Sequence, residues 1–141
     1  MKYDDASWHY DGDFPADLAP ECGATHIGMF LGWVIMRGHV GDLHIGDDDS
    51  AADVRKVQAR EMSPRAFLIQ WCDEKLTDED LTDEANAFAT EYYEKQYFQD
   101  YALAFPESDE IYRVEDSWTN FELIAAVLDE RFRSWRQSRP A

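Results

Sequence analysis

The sequence predicts a compact domain, all-α or nearly so, of about five helices spanning residues 1–141. Apolar residues recur at spacings of three and four in several segments, which is the period of a helix face. Hydrophobic residues make up 45% of the 141 residues and aromatic residues 14%, enough to build one packed core. Neither an internal repeat nor a low-complexity linker divides the chain, so a single domain is expected.

The first twenty residues combine Trp8, His9, Tyr10 and Phe14 with Asp, Gly and Pro. A free polar tail rarely keeps so many aromatic residues in so short a stretch. We therefore predict that residues 1–20 form an irregular arm, which its aromatic side chains anchor to the body of the domain.

The first long helix is predicted over residues 24–37, with Gly38 at its carboxyl end. Its apolar residues lie on all sides of the helix, which is typical of a helix at the centre of a helical domain. Gly28 and Gly32 lack side chains, so they are expected to let a neighbouring helix approach closely.

Residues 39–49 are rich in Gly and Asp and are predicted to form a loop. Ser50 then fits the N-cap of a helix over about residues 51–61, because serine accepts hydrogen bonds from free backbone N–H groups. Val54 and Val57 are the apolar positions of this helix and are predicted to face the core.

Three further segments carry helix start signals. Residues 63–64 are Ser-Pro, an N-cap followed by a first-turn proline, and apolar pairs follow at helical spacing. Thr77 and Thr82 are each followed by acids, which favour the positive end of a helix. The second of these starts predicts a long helix to about residue 105. Its wide apolar stripe consists of Ala85, Phe88, Tyr92, Tyr93, Tyr97, Phe98, Tyr101 and Phe105.

Near the carboxyl end, residues 111–114 are the only segment with strand character, so at most one short strand is expected there. Ser117 fits the cap of a final helix. The core face predicted for that helix consists of Phe121, Ile124, Val127, Leu128, Phe132 and Trp135.

The charge of the chain restricts its partners. Thirteen Lys and Arg stand against thirty Asp and Glu, a net charge of −17. This charge repels phosphate backbones and anionic membranes, so neither a nucleic acid nor a membrane is an expected partner. It favours partners with basic surfaces. The alternative is that the charge serves only solubility.

The sequence also indicates the compartment. The opening residues are too polar for a signal peptide, and the longest apolar run, residues 27–36, is about half the length of a membrane span. Cys22 and Cys72 do not form a C-x-x-C motif. We therefore expect a cytoplasmic protein with reduced thiols.

No catalytic, cofactor or metal site is predicted, because no catalytic or metal-binding motif of known spacing occurs. His26 lies in an apolar helix and fits a core histidine better than a general base. His39 and His44 lie among aspartates, but their spacing matches no standard ligand set, and a solvated polar loop is the favoured interpretation.

The most credible binding feature is a group of acids at predicted helix starts, together with neighbouring tyrosines. Acids on ordered helix ends form a rigid anionic patch, and buried aromatic anchors are typical of tight interfaces. Helix capping and core packing are the alternative roles of these residues. The predicted partner-binding residues are Asp73, Glu74, Asp78, Glu79, Asp80, Asp83, Glu84, Tyr93 and Tyr97.

Several segments carry a family resemblance. They are residues 1–10 (MKYDDASWHY), 12–15 (GDFP), 24–31 (ATHIGMFL), 73–81 (DEKLTDEDL) and 114–118 (VEDSW). Together they resemble a family of small, uncharacterised bacterial proteins of the domain-of-unknown-function kind. The resemblance implies gene neighbourhoods of polymorphic toxins, including toxins delivered by type VI secretion, in which small acidic proteins act as immunity factors. It carries no catalytic residues over to this chain.

The leading hypothesis is an immunity protein that binds a cognate interbacterial toxin in the cytoplasm and occludes its active site, the toxin presenting a basic surface. One alternative is a non-catalytic regulatory or interaction module that self-associates. Another is a small enzyme that uses His26 or the loop with His39 and His44.

Overall fold

Helices dominate the computed structural model, which describes residues 1–12, 14–108 and 110–139, and the predicted nearly all-α fold is confirmed. The α-helices are α1 (Ser7–Tyr10), α2 (Thr25–Met36), α3 (Asp42–Ile45), α4 (Asp48–Gln58), α5 (Pro64–Trp71), α6 (Asp83–Tyr92), α7 (Phe98–Ala104) and α8 (Trp118–Ser138). Tighter 3-10 turns cover Pro20–Ala24, Asp78–Asp80 and Ile111–Arg113, and a π-helical turn covers Tyr93–Tyr97. Strands β1 (Lys2–Asp5) and β2 (Lys75–Thr77) form one small antiparallel sheet.

Helix α2 lies at the centre of the fold, as its all-round apolar sequence predicts, and is buried from Thr25 to Ile35. The start of α5 crosses it at the two glycines. A Cβ atom added to Gly28 would lie 2.7 Å from the Cα of Arg65, and one added to Gly32 would lie 2.6 Å from the Cγ of Pro64. The predicted close approach of a neighbouring helix is therefore confirmed. In the described part of the chain, no helix is both long and apolar enough to cross a membrane.

The helix starts read from the sequence are largely confirmed. The side chains of Ser63, Thr82 and Ser117 each accept a hydrogen bond from the backbone N–H three residues further on. Each cap contributes about 1 kcal/mol to the free energy of unfolding. Helix α4 differs, because Asp47 is its N-cap and accepts from the backbone N–H of Ser50. The prediction of Ser50 as the cap is wrong.

The first ten residues are more regular than the irregular arm that the sequence predicted. Strand β1 pairs with β2 in the register Lys2↔Thr77 and Asp5↔Lys75, and α1 follows at once. The paired residues lie seventy or more positions apart, so no local pattern indicated the pairing. Tyr3 and Tyr10 pack against the core, whereas Trp8 is 55% exposed and its ring faces the Lys2 amine.

Two other predictions about elements are corrected. Residues 111–114 contain a 3-10 turn rather than a strand, because no strand of the described residues lies beside them to pair with. The long helix expected from residue 82 to 105 is interrupted by the π-helical turn Tyr93–Tyr97, which separates α6 from α7. An extra residue in the turn shifts the helical register and re-aims the side chains within it. The last helix, by contrast, is buried along its predicted face at Phe121, Ile124, Leu128 and Phe132.

Candidate functional site

Residues 42–49, named the acidic loop here, display two apolar side chains at the surface. They comprise the short helix α3 and the first residues of α4, so the loop predicted over residues 39–49 is partly helical. Leu43 is 55% exposed and Ile45 is 49% exposed. The aspartates of the loop, Asp42, Asp47, Asp48 and Asp49, are all exposed. Apolar residues within a rim of charge are the arrangement found in protein interfaces, where the apolar part is covered by a partner. Sequence reasoning missed Leu43 and Ile45, although two aliphatic residues in an otherwise polar loop were the available signal.

Buried polar contacts on the inner side of the acidic loop hold its backbone in place. His44 is buried, and its Nε2 lies 2.7 Å from the Oδ1 of Asp80. The hydroxyl of Ser50 donates to the carbonyl oxygen of His44 at 2.6 Å. The backbone N–H of Gly41 donates to the carbonyl oxygen of Asp80 at 2.9 Å. These contacts hold α3 against the 3-10 turn Asp78–Asp80, so the loop presents its side chains from a fixed backbone.

Most of the acids predicted to bind a partner do lie at the surface. Three of the exposed ones are paired with cations: Asp73 with Lys75, Asp78 with the terminal amine, and Glu84 with Arg136. Glu74 is half-buried. Glu79 and Asp83 are exposed, and neither forms an ion pair with another described residue. Glu79 lies in the turn that packs against α3, so it extends the acidic surface around the loop.

Three of the predicted partner-binding residues are corrected by burial. Asp80 accepts a hydrogen bond from the backbone N–H of Thr77 at 2.8 Å and contacts His44. The hydroxyl of Tyr93 donates to the Oδ2 of Asp4 at 2.7 Å. The hydroxyl of Tyr97 donates to the backbone carbonyl oxygen of His26 at 2.5 Å. All three side chains therefore belong to internal polar networks and cannot touch a partner of the folded chain.

The first buried polar cluster is built around Asp4. Its carboxylate accepts four hydrogen bonds, from the backbone N–H of Asp5 at 2.8 Å, His9 Nε2 at 2.7 Å, His26 Nε2 at 3.2 Å and the Tyr93 hydroxyl at 2.7 Å. Burial by itself would raise the pKa of Asp4, but the hydrogen bonds from His26 and His9 outweigh burial and hold it well below its usual range. Asp4 is therefore an ionised carboxylate.

His26 is the fully buried member of this cluster, as expected of a core histidine. Burial lowers its pKa, and the hydrogen bond from its Nε2 to Asp4 opposes that change only in part. The imidazole is therefore neutral at neutral pH, with its proton on Nε2. Its Nδ1 is buried and accepts no hydrogen bond from a described residue.

A surface pocket of about 280 Å³ opens beside the Asp4 cluster. Asp4 and His9 form part of its wall, and His26 does not reach it. The Nζ of Lys2 lies 5.0 Å from the ring centroid of Trp8 at the rim. This pocket is the place where the cluster could meet a small molecule.

The second buried cluster joins His44 to Cys72 and Asp80. The Sγ of Cys72 lies 3.7 Å from His44 Nε2 and 3.6 Å from Asp80 Oδ1. Burial, and then the charge of Asp80, raise the pKa of the Cys72 thiol far above its ordinary value. Sequence reasoning had paired His44 with His39, but His39 packs against Phe132, with ring centroids 4.8 Å apart. No spacing in the sequence pointed to Cys72 or Asp80.

The burial of His26 predicts a pH dependence of stability. Below pH ~6.5 an unfolded histidine binds a proton, whereas His26 in the folded chain resists protonation because its pKa is lowered. The unfolded state therefore gains protons, and the free energy of unfolding should fall by about 1 kcal/mol between pH ~7.5 and ~5.5. The half-buried His39 shifts in the same direction and adds to the effect. Urea denaturation across this range measures it, and His26→Gln should reduce the slope. An unchanged slope in the variant would show that His26 is not its source.

Comparison with known proteins identifies a family whose model matches most of the chain. A family model described as "Domain of unknown function (DUF7832)" matches residues 2–114. The matched range contains both buried clusters and the acidic loop, and it ends before helix α8. No curated protein and no solved structure matches the chain.

Proposed function

The chain belongs to this family of domains of unknown function, and we propose that it acts by binding a basic partner protein through the acidic loop. The observation that carries the proposal is the exposure of Leu43 and Ile45, at 55% and 49%, among the exposed aspartates of residues 42–49. Apolar anchors gain free energy when a partner covers them, while the surrounding charge selects a partner of opposite sign.

The electrostatics of the chain support a basic partner. The net charge of −17 raises the rate of encounter with a positive surface, and the effect weakens as salt is added. Glu79 and the aspartates of the loop add negative charge next to Leu43 and Ile45. The buried contacts of His44 hold the loop in place before binding, so little conformational entropy is lost when the partner binds.

The specific form that we propose is an immunity protein. The partner would be an interbacterial toxin that acts on nucleic acids or nucleotides, and this protein would bind it in the cytoplasm and occlude its active site. Toxins of that chemistry have basic clefts, which suit an acidic surface. This form is what the family resemblance of segments such as MKYDDASWHY implies.

The test is co-expression of the tagged chain with the open reading frames that neighbour its gene, followed by affinity purification and mass spectrometry. We expect one stoichiometric partner that is toxic when expressed alone and harmless with this protein. The double variant Leu43→Asp and Ile45→Asp should weaken the complex at least about tenfold and restore toxicity, since it removes both anchors.

Leu103→Asp is the matched control, because Leu103 is 76% exposed and lies on α7 rather than in the acidic loop. It should leave the complex intact. If the loop variant and the control bind equally well, the binding surface lies elsewhere. If only the chain itself is recovered, light scattering at low and high salt tests the self-associating module instead.

A second candidate function is the binding or conversion of a small molecule in the pocket beside Asp4 and His9, and the pocket of about 280 Å³ is the observation that favours it. A metabolite bound there should shift the amide NMR signals of Trp8 and His9. It should do so equally in the Leu43→Asp variant, because the acidic loop does not line this pocket.

A further inference from the structure

Three donor atoms of different elements face one another in the second buried cluster. They are His44 Nε2, Cys72 Sγ and Asp80 Oδ1, and they form a triangle with sides of 2.7, 3.6 and 3.7 Å. The point equidistant from all three lies about 2.0 Å from each, near the bond lengths that Zn²⁺ makes to nitrogen and oxygen and slightly short of its bond to sulfur. An ion is accommodated when Cys72 moves slightly outward and the hydrogen-bonded atoms of His44 and Asp80 move apart toward tetrahedral spacing.

The other oxygen of Asp80 is already committed. Asp80 Oδ2 accepts hydrogen bonds from the backbone N–H of Thr77 at 2.8 Å and from its hydroxyl at 3.4 Å. These bonds orient the carboxylate and leave Oδ1 facing the thiol and the imidazole. Hydrogen bonds to the non-coordinating atoms of ligands are a regular feature of protein metal sites.

We propose that His44, Cys72 and Asp80 bind one divalent ion of the Zn²⁺ class. Sulfur and imidazole donors select such an ion over Mg²⁺ or Ca²⁺, which prefer oxygen. The thiolate and the carboxylate together balance the two positive charges of the ion. Binding displaces the thiol proton to solvent and requires His44 to carry its proton on Nδ1. Water completes the coordination, since Cys72 is half-buried and lies toward the surface.

The bound ion would restrict the motion of the acidic loop, whatever partner the loop binds. His44 lies in α3, Cys72 follows α5, and Asp80 lies in the turn before β-bridge residue Leu81. An ion that binds all three links the acidic loop by coordinate bonds to two other parts of the fold. It therefore slows the opening of the loop.

The first cluster also brings together three metal-binding side chains, Asp4, His9 and His26. Its carboxylate oxygens, however, face different histidines and accept further bonds from Asp5 and Tyr93, so they do not converge on one point. It is the weaker candidate, and it lacks sulfur.

The test uses Co²⁺, whose spectrum reports thiolate ligation. The full chain is kept reduced with a phosphine and titrated with Co²⁺. We expect a near-ultraviolet thiolate-to-cobalt band that saturates at one ion per chain and disappears when Zn²⁺ is added. Cys72→Ser should abolish the band and weaken Zn²⁺ binding at least about 100-fold, because the loss of even an outer partner costs up to that much.

Cys22→Ser is the matched control, since Cys22 is the other half-buried free cysteine. It should keep the band. Asp80→Asn retains the thiol and should shift the band and weaken binding, and circular dichroism checks that each variant is folded. The wild-type chain alone can overturn the proposal, if it binds Co²⁺ without a thiolate band or does not bind it. Loss of binding in His9→Gln would move the site to the first cluster and overturn it equally.

Discussion

Replacing Asp4 with alanine should lower the free energy of unfolding by about 3–5 kcal/mol, the range for removing one partner from a buried charged network. Four donors point at this carboxylate, from Asp5, His9, His26 and Tyr93. Alanine accepts none of them, so the buried donors of His26 and Tyr93 lose their acceptor. The Asp4 carboxylate also links β1 to α2 and to the π-helical turn, and the substitution removes that link.

Equilibrium denaturation in urea measures this effect. Asp11→Ala is the control, because Asp11 is exposed in the same part of the chain, and its variant should stay within about 0.5 kcal/mol of the wild type. The Asp4→Asn variant keeps one acceptor oxygen, so its free energy of unfolding should lie between those of Asp4→Ala and Asp11→Ala. A loss below about 1 kcal/mol for Asp4→Ala would mean that the four hydrogen bonds contribute little to folding.

Gly28→Ala should lower the free energy of unfolding by about 2 kcal/mol, although alanine is the better helix former by about 1 kcal/mol. The added Cβ would lie 2.7 Å from the Cα and 2.9 Å from the backbone nitrogen of Arg65. These are backbone atoms, so they cannot turn aside as a flexible side chain does. Helix α5 must move away from α2, and the packing that depends on their contact is lost.

Thermal unfolding followed by circular dichroism gives this result. Gly12→Ala is a suitable comparison, since a Cβ there would meet only the carbonyl oxygen of Trp8 at 3.4 Å and that of His9 at 3.6 Å. It should change the stability little. A stabilised Gly28→Ala variant would show that helix propensity dominates and that α2 and α5 are not in close contact.

The starts of the helices could be predicted because their causes are local. Ser63, Thr82 and Ser117 cap N–H groups only three residues away, so each signal is contained in a few consecutive residues. The burial of α2 followed from apolar residues on all of its sides, and the burial of one face of α8 followed from apolar periodicity.

The strand at the amino end and the break in the long helix could not be predicted in this way. Strand β1 exists because β2 supplies its hydrogen bonds from seventy or more residues away. The π-helical turn places Tyr93 and Tyr97 on buried partners, Asp4 and the carbonyl oxygen of His26. Both features depend on contacts between segments that are far apart in the sequence. A local pattern cannot show that such segments meet in the fold.

The features of the candidate sites also fall into those that the sequence determined and those that only the structure showed. Composition by itself determined that the chain is acidic, and the basic partner is proposed from that charge. Only the tertiary structure decided that Leu43 and Ile45 are exposed and that Asp80, Tyr93 and Tyr97 are buried. The tertiary structure also decided which side chains form the two buried clusters. Charge and periodicity are properties of a sequence, whereas a buried cluster arises from packing, which brings distant residues within hydrogen-bond distance.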